Sequence, residues 1–306
     1  MLSFLPGPLL GAIMFVVLVV HTLVMAVPVY ATILLKLVSP KGPMRDRFSI
    51  WMAALAQRWA NNNVWFGDTL IGTRWDIRCE VPLSPRDQFL VCANHQSWND
   101  IYVLIKTFGY RAPFFKFFLK KELIWVPVLG PVWWGLDYPF MKRHSAQTLM
   151  KHPELRGQDL EATRRACEAA RNHPVLLLNF LEGTRFTPEK HDKQKSRFVH
   201  LLKPKAGGFA FAMQAMGERL HSLLDVTIVY PDGAVGFWAF LMGRMRHVVV
   251  EVRKLAIPPE FFHGDYLDDA SFRKQVQSWV QGIWEDKDRR IEELLRETRA
   301  QPATGG

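Results

Sequence analysis

The segment at residues 94–100 (NHQSWND) combines a histidine and a carboxylate at a spacing that could support general base catalysis. His95 and Asp100 are five positions apart. On one regular helix their side chains would be rotated by about 140° and separated by about 7.5 Å along the axis, which prevents pairing. They can pair if His95 lies in the turn before a helix and Asp100 in its first turns, with Ser97 as the N-cap. Asp100 would then hold one imidazole nitrogen and leave the other as a base near neutral pH.

The same segment also fits a non-catalytic interpretation, and the spacing alone favours it. A histidine and an aspartate at this spacing occur often by chance. In that case His95 would be exposed and Asp100 would compensate the helix dipole. Cys92 lies three positions before His95 and would point to the opposite face of an extended strand. We therefore expect Cys92 to be a core residue rather than a nucleophile.

A second polar segment follows the apolar run at residues 175–180 (VLLLNF). Ligands and catalytic groups collect at the carboxyl ends of strands in open α/β sheets. Gly183 permits a tight turn close to a ligand, Thr184 offers a hydroxyl, and Arg185 offers a planar fork for phosphate. Taken alone, an ordinary strand-to-loop turn with solvated charges explains this segment slightly better than a binding site.

Two more segments could hold an anion. Residues 121–143 are apolar and aromatic but are broken by proline and glycine, which argues against a transmembrane helix, and Arg143 ends this stretch. Residues 203–209 (KPKAGGF) form a basic turn that opens a helix. An anion site and a solvated basic turn explain this second segment equally well.

The elements that must position these residues alternate between strand and helix. Apolar or alternating patterns predict the strands at residues 75–81, 88–93, 175–180 and 225–230. Helical patterns follow at residues 99–108, 206–216 and 270–299. This order predicts an α/β layered domain with a largely parallel central sheet and flanking helices, plus an N-terminal membrane anchor helix.

We divide the chain into four parts on these patterns. They are a membrane anchor (1–38), an amphipathic connecting helix (39–72), the α/β domain (73–260), and a C-terminal helix with a disordered tail (261–306).

The N-terminal segment is free of charge. Residues 1–35 contain no Asp, Glu, Lys or Arg, so the first part of the chain is long enough to cross a bilayer, with Pro28 as a break or kink. A cleaved signal peptide is the alternative, but it needs a positive n-region and a shorter apolar core. Lys36, Lys41, Arg45 and Arg47 follow directly, and this excess of positive charge predicts that the rest of the chain is cytoplasmic.

Composition favours an anionic lipid surface as the partner. The 306 residues include 39 Lys and Arg against 29 Asp and Glu, a net charge of +10, together with 21 Phe and 11 Trp. Basic and aromatic character together suit a membrane surface. A nucleic-acid partner is not expected, because no recognised nucleic-acid-binding motif accompanies the charge. The three cysteines have neither disulfide-scaffold nor zinc spacing.

Taken together, the polar segments resemble the glycerolipid (lysophosphatidic acid) acyltransferase family with its His-x4-Asp motif. Four blocks occur in the family's order. They are Asn94-His95-x-Ser97-x-x-Asp100, a Lys121-Glu122-Leu123 stretch closing on Arg143, Phe180-Leu181-Glu182-Gly183-Thr184-Arg185, and an apolar strand ending at Pro231. Leu181 stands where the family usually has proline. That departure, with residues 182–187 and 201–205, is most similar to the lysocardiolipin acyltransferase-like branch.

The resemblance implies that the protein acylates a lysophospholipid, such as 1-acylglycerol 3-phosphate, in phospholipid synthesis or remodelling. His95, oriented by Asp100, would take the proton from a glycerol hydroxyl, and the oxygen would attack the thioester of acyl-CoA or acyl-carrier protein. The implied substrate-binding residues are Arg143, Glu182, Gly183, Thr184 and Arg185. The resemblance implies no cofactor beyond the acyl donor and no metal. With the orientation that the basic residues after the anchor predict, the active site would lie at the cytoplasmic face of the membrane, which is the inner or plasma membrane if the source is bacterial.

Two other functions stay open at this point. A lipid hydrolase would use water in place of the glycerol hydroxyl, but it normally needs a G-x-S-x-G nucleophile elbow, which this sequence lacks. A non-catalytic protein that binds anionic lipid would not need His95, Asp100 and residues 182–185 at strand ends.

Overall fold

A computed structural model describes residues 2, 4–117, 119–138, 140–141, 174–217, 220, 222–266 and 268–300. The predicted disordered tail and Arg143 lie outside these residues. The protein is an α/β structure, as the sequence predicts, with a mixed sheet of six strands at its centre. In chain order the strands of the two sheets are β1 (Arg74–Arg78), β2 (Gln88–Ala93), β3 (Phe115–Phe117), β4 (Leu119–Lys120), β5 (Phe140–Met141), β6 (Val175–Phe180), β7 (Leu223–Val229) and β8 (His247–Leu255).

The central sheet is largely parallel. Its spatial order is β1-β8-β7-β2-β6-β3, and only the β7–β8 pair is antiparallel. β4 and β5 form a separate parallel pair. β2 lies between β6 and β7 and runs parallel to both, so the carboxyl ends of all three strands meet at one edge. The loops that carry the polar segments therefore lie side by side.

Helices cover both faces of the sheet. In chain order they are α1 (Gly7–Val38), α2 (Pro43–Leu70), α3 (Asp100–Phe108), α4 (Leu129–Gly135), α5 (Pro188–Gln194), α6 (Ala206–Met216), α7 (Phe237–Leu241) and α8 (Ala270–Ala300), with 3₁₀ turns at Lys121–Trp125 and Pro259–Phe262. Side chains of α1, α3 and α7 share one apolar core with the sheet, and those of α6 and α8 share the core on the opposite face. A layer of helices on each face explains why β2, β6 and β7 are almost entirely buried.

The first two helices contact each other extensively and are joined by a four-residue connection, 39–42. α1 is a single helix that passes through Pro28, so of the predicted break or kink the break does not occur. Polar side chains link the two helices: the Trp59 indole NH donates to Thr22 Oγ1 at 3.1 Å, and His21 Nδ1 lies 3.0 Å from Asn63 Oδ1. At the end of α1, the Lys36 ammonium donates to Asp137 Oδ2 at 2.7 Å, which ties the helix pair to the body.

Large apolar side chains are exposed mainly on one side of the molecule. α1 is the one described helix that is long and apolar enough to cross a membrane. Val20, Val24 and Val27 on α1 are more than half exposed, and Trp51 on α2 and Trp238 on α7 are also exposed. By contrast, α6 and α8 expose no large apolar side chain among their described residues. This distribution is consistent with membrane contact on the α1, α2 and α7 side.

Candidate active site

The two residues of the predicted dyad are in direct contact. His95 follows β2 by two residues, and Asp100 is the first residue of α3. His95 Nδ1 lies 2.7 Å from Asp100 Oδ2, so the predicted arrangement of a histidine in the turn and an aspartate at the helix start is confirmed. Asp100 is completely buried, whereas the His95 side chain keeps 15% of its exposure. With Nδ1 bonded to the carboxylate, Nε2 is the nitrogen left to act as a base.

Four donors surround the Asp100 carboxylate. Besides His95, the backbone NH groups of Gln96 and Ser97 donate to Oδ2 at 2.7 and 3.0 Å. The Tyr230 hydroxyl donates to the other oxygen, Oδ1, at 2.6 Å. A buried carboxylate that accepts several hydrogen bonds is held in one orientation. Tyr230 is not among the site residues predicted from the sequence, although it lies in the fourth family block, directly after β7.

Ser97 does not cap α3 in the predicted way. Asn99 is the residue before the helix. The Ser97 hydroxyl instead accepts from the Asn99 backbone NH at 3.1 Å and donates to the Val235 carbonyl at 2.6 Å. Because Ser97 lies two residues before the cap position, its side chain binds the turn to the 230–236 loop, and the backbone NH groups that Asp100 accepts from belong to the turn residues Gln96 and Ser97.

The His95 ring and backbone are both fixed by β6 and the loop after it. The imidazole stacks on Phe180, with ring centroids 4.0 Å apart and 13° between the planes. The His95 backbone NH donates to Glu182 Oε1 at 2.8 Å, and its carbonyl accepts from the Phe186 NH at 2.7 Å. The loops after β2 and β6 are therefore bonded directly to each other at the dyad. These contacts join residues that are distant in the sequence and were not predicted from it.

The buried Glu182 side chain connects its own loop, after β6, to the turn that carries His95 and to the segment that carries Leu202. Its carboxyl is fully buried, and its second oxygen accepts from the Leu202 backbone NH at 3.1 Å. Burial raises the pKa of Glu182 to about 8, while the bonds from the NH groups of His95 and Leu202 act in the opposite direction. These contacts favour a positioning role for Glu182 over the direct substrate contact that the sequence implied.

The remaining residues of the predicted substrate site lie on the same loop. Gly183 has a positive φ of +67°, a conformation that glycine adopts at little cost. The Thr184 hydroxyl accepts from the Lys190 ammonium at 2.9 Å. The Arg185 guanidinium lies 4.3 Å from the ring centre of Trp98. The structure thus brings Gly183, Thr184 and Arg185 to the edge that carries His95.

The Cys92 thiol lies in the core, as predicted, and is not a candidate nucleophile. Cys92 is fully buried, and its Sγ donates to Asp225 Oδ1 at 3.2 Å. Burial raises the pKa of the Cys92 thiol well above its usual range, which keeps it in the unreactive neutral form.

Comparisons with known proteins agree with this arrangement. The acyltransferase family model matches residues 76–231, about half of the chain. The delta form of 1-acyl-sn-glycerol-3-phosphate acyltransferase from Homo sapiens is 27% identical over 192 residues, which cover 59% of this chain and 46% of that protein. The gamma form from Homo sapiens is 26% identical over 182 residues, covering 56% and 44%. The chain spans about half the length of these relatives.

A solved structure shares the fold. The 1-acyl-sn-glycerophosphate acyltransferase from Thermotoga maritima superposes with a TM-score of 0.57 and 16% sequence identity, covering 97% of each chain. At this identity the likeness concerns the fold. It includes the N-terminal helices, because nearly the whole chain is matched.

Proposed function

This chain belongs to the acyltransferase family, and from that premise we propose that it transfers an acyl chain from a thioester to the free hydroxyl of a lysophospholipid. Family membership and relatives named for 1-acyl-sn-glycerol-3-phosphate support the lysophospholipid as the acceptor class. The donor is acyl-CoA or acyl-carrier protein, and the reaction serves phospholipid synthesis or remodelling. The departure at Leu181 supports the lysocardiolipin acyltransferase-like branch.

The contact between His95 and Asp100 carries this proposal. Asp100 fixes the tautomer that has a proton on Nδ1, so Nε2 accepts the proton of the glycerol hydroxyl. The oxygen then attacks the thioester carbonyl, and the tetrahedral intermediate collapses with cleavage of the carbon–sulfur bond. The thiolate takes the proton from Nε2 and leaves as the thiol. This cycle needs no acyl-enzyme, cofactor or metal.

Arg185 is the proposed partner of the acceptor's phosphate. Its guanidinium is supported by the Trp98 ring and lies on the loop bonded to His95. A planar guanidinium binds phosphate with two parallel hydrogen bonds. Gly183, Thr184 and Arg143 complete the proposed acceptor site, and Glu182 holds the loop that carries them.

We place the reaction at the cytoplasmic face of the membrane. The apolar surface of α1 supports attachment, and the basic residues in its last turn and beyond it, Lys36, Lys41 and Arg45, support the cytoplasmic orientation. Acyl-CoA and acyl-carrier protein are cytoplasmic, so this side gives the dyad access to the donor.

The test is a transfer assay on the full-length protein. Purified protein is incubated with a panel of lysophospholipids and labelled acyl-CoA or acyl-carrier protein, and acylated product is separated from free fatty acid. Wild-type protein forms a phospholipid from at least one acceptor, and His95→Ala does not. Release of fatty acid without transfer would identify a hydrolase. Lipid binding without either reaction would identify a non-catalytic lipid-binding protein.

A further inference from the structure

A cationic pocket adjoins the candidate active site on the face of the sheet covered by α6 and α8. Its volume is about 450 Å³. Its lining includes Arg197, Lys203, Lys205, Tyr266, Gln277 and Gln281, and we call it the lysine pocket. Side chains from the 197–207 segment form one wall, and α8 forms the other. Pockets that bind small molecules have volumes of roughly 300–1,000 Å³.

The charge of the lysine pocket comes from two ammonium groups. Arg197 is neutralised by its ion pair with Glu285 on α8. Lys203 and Lys205 are exposed, and no carboxylate among the described residues pairs with either of them. Gln277 and Gln281 add neutral hydrogen-bonding groups. The pocket is therefore suited to an anion with several acceptor oxygens rather than to a cation or an apolar chain.

The lysine pocket lies away from the apolar surface. The helices with exposed apolar side chains, α1, α2 and α7, are on the opposite side of the sheet from α6 and α8. A lysophospholipid keeps its acyl chain in the membrane, so it approaches from the α1 side. An anion in the lysine pocket arrives from water.

Lys205 connects the lysine pocket to the catalytic loop. Its backbone NH donates to the Leu181 carbonyl at 2.7 Å. Its ammonium lies only 3.2 Å from the position that a Cβ on Gly183 would occupy. Gly183 follows Glu182, which is bonded to the His95 backbone. A molecule with its charged end in the lysine pocket thus borders the loop that holds the dyad.

We propose that the lysine pocket binds the nucleotide phosphates of a coenzyme A thioester, with Lys203 and Lys205 as the phosphate ligands. The proposal rests on the proposed function and selects the donor. Coenzyme A is soluble and carries phosphates at one end and the reactive thioester at the end of a flexible arm. Its phosphates match an aqueous cationic pocket, while the arm extends to His95. A concave pocket also suits a small molecule better than the broad surface of a carrier protein.

The test measures how the KM for each substrate changes when one lysine charge is removed. Lys203→Gln and Lys205→Gln are compared with Lys193→Gln, which removes the same charge from an exposed position on α5 outside the lysine pocket. We expect the KM for acyl-CoA to rise about fivefold in Lys203→Gln and Lys205→Gln, since an exposed charge pair contributes roughly 1 kcal/mol and 1.4 kcal/mol is tenfold. The KM for the lysophospholipid stays within twofold, and Lys193→Gln leaves both values unchanged.

Adenosine 3′,5′-bisphosphate serves as the binding probe because it contains phosphates of coenzyme A but no thioester. It should compete with acyl-CoA and not with the lysophospholipid. Calorimetry with His95→Ala protein, which does not turn over, should show binding that Lys203→Gln weakens and Lys203→Arg restores. Added salt should weaken the same binding by screening.

Three results would overturn the proposal. A rise in the KM for the lysophospholipid alone would assign the lysine pocket to the acceptor phosphate. Unchanged KM values in both lysine variants would leave the pocket without a role in substrate binding. A response with acyl-carrier protein but no competition by the bisphosphate would indicate a protein donor. In all three cases the wild-type protein still transfers acyl chains, whereas failure of the proposed function would show as no transfer from any donor.

Discussion

The Tyr230 hydroxyl donates a hydrogen bond of 2.6 Å to Oδ1 of Asp100. The two residues are 130 positions apart in the chain, and the bond links the end of β7 to the start of α3. Burial and the adjacent Asp100 carboxylate raise the pKa of Tyr230 well above its usual range, so the hydroxyl remains a donor wherever the protein is folded. Tyr230 thus holds the oxygen of Asp100 that His95 does not contact.

Tyr230→Phe should slow catalysis without weakening substrate binding. Removing the hydroxyl leaves Asp100 held through Oδ2 alone, and a loss of about 1.4 kcal/mol in the transition state corresponds to a tenfold lower kcat. The free energy of unfolding should fall by about 1–3 kcal/mol, because a buried carboxylate oxygen loses its donor. Steady-state kinetics and urea unfolding measure the two effects. A larger KM for either substrate with unchanged kcat would contradict this role.

Substitutions of His95 and Asp100 should distinguish the effect of losing the base from the effect of losing the carboxylate that orients it. His95→Ala should abolish transfer, and it should lower the free energy of unfolding by about 1–3 kcal/mol because the buried Asp100 carboxylate loses a donor. Asp100→Asn should lower kcat strongly, by up to about 10⁴-fold, the loss seen when the orienting aspartate of a protease triad becomes an amide. It should also destabilise the fold, since the amide group opposes the NH groups of Gln96 and Ser97. Near-normal turnover in His95→Ala would refute the mechanism.

Glu182 should make stability depend on pH. The pKa is about 8 in the folded protein and near 4.5 for an ordinary glutamate, so between these values the folded state keeps a proton that the unfolded state has released. The contribution of this group to the free energy of unfolding is therefore full below pH 4.5 and is lost as the pH rises through about 8. Other carboxyl groups also titrate, so the wild-type curve needs a reference.

Glu182→Gln provides that reference because its side chain does not titrate. The free energy of unfolding of the wild type minus that of Glu182→Gln should decrease steadily from pH 5 to pH 8.5. A difference that is independent of pH would mean that the hydrogen bonds from the NH groups of His95 and Leu202 keep the carboxylate ionised in the folded protein.

The sequence predicts the parts of this site that are local in the chain. The continuous apolar runs at residues 88–93 and 175–180 gave the bounds of β2 and β6 correctly, and the polar residues after them lie at the strand ends. The pairing of His95 with Asp100 is one of two interpretations of their spacing, and the family resemblance favours it. Contacts between distant residues could not be read in this way, because they depend on which strands are neighbours. Tyr230 on Asp100 and Glu182 on the His95 backbone are both of this kind.

The same limit applies to α1. A proline within an apolar run predicts a break or a kink at Pro28, and the helix continues through it to Val38 without a break. The contacts that hold its second half come from distant elements: Ile33 packs beside Gly135, and Lys36 pairs with Asp137. Packing against the body outweighs the local preference of proline.

Arg185→Lys should impair acceptor binding selectively. Lysine keeps the charge but loses both the bidentate fork and the stacking on Trp98. The KM for the lysophospholipid should rise about tenfold, which corresponds to 1.4 kcal/mol, while the KM for the acyl donor stays unchanged. Trp98→Leu removes only the support and should give a smaller rise. Equal effects of Arg185→Lys on both substrates, measured by varying each in turn, would count against phosphate recognition by Arg185.

Single charges on α1 should test whether its exposed face contacts the membrane. Deleting the helix would also remove Lys36 and its ion pair with Asp137, so loss of membrane binding could reflect damage to the body. Val20 and Val24 are 53% and 61% exposed, so Val20→Asp and Val24→Asp keep the packing of α1 on α2. An aspartate in the hydrocarbon region costs about 2.5–3.5 kcal/mol, so each change should lower partitioning into vesicles at least tenfold.

Ser278→Asp on α8, which lies on the opposite face of the sheet, is the matched control and should partition like the wild type. Circular dichroism confirms that each variant is folded, and vesicle flotation at high salt removes the contribution of the basic surface. Unchanged flotation of Val20→Asp and Val24→Asp under these conditions would show that this face of α1 lies outside the bilayer.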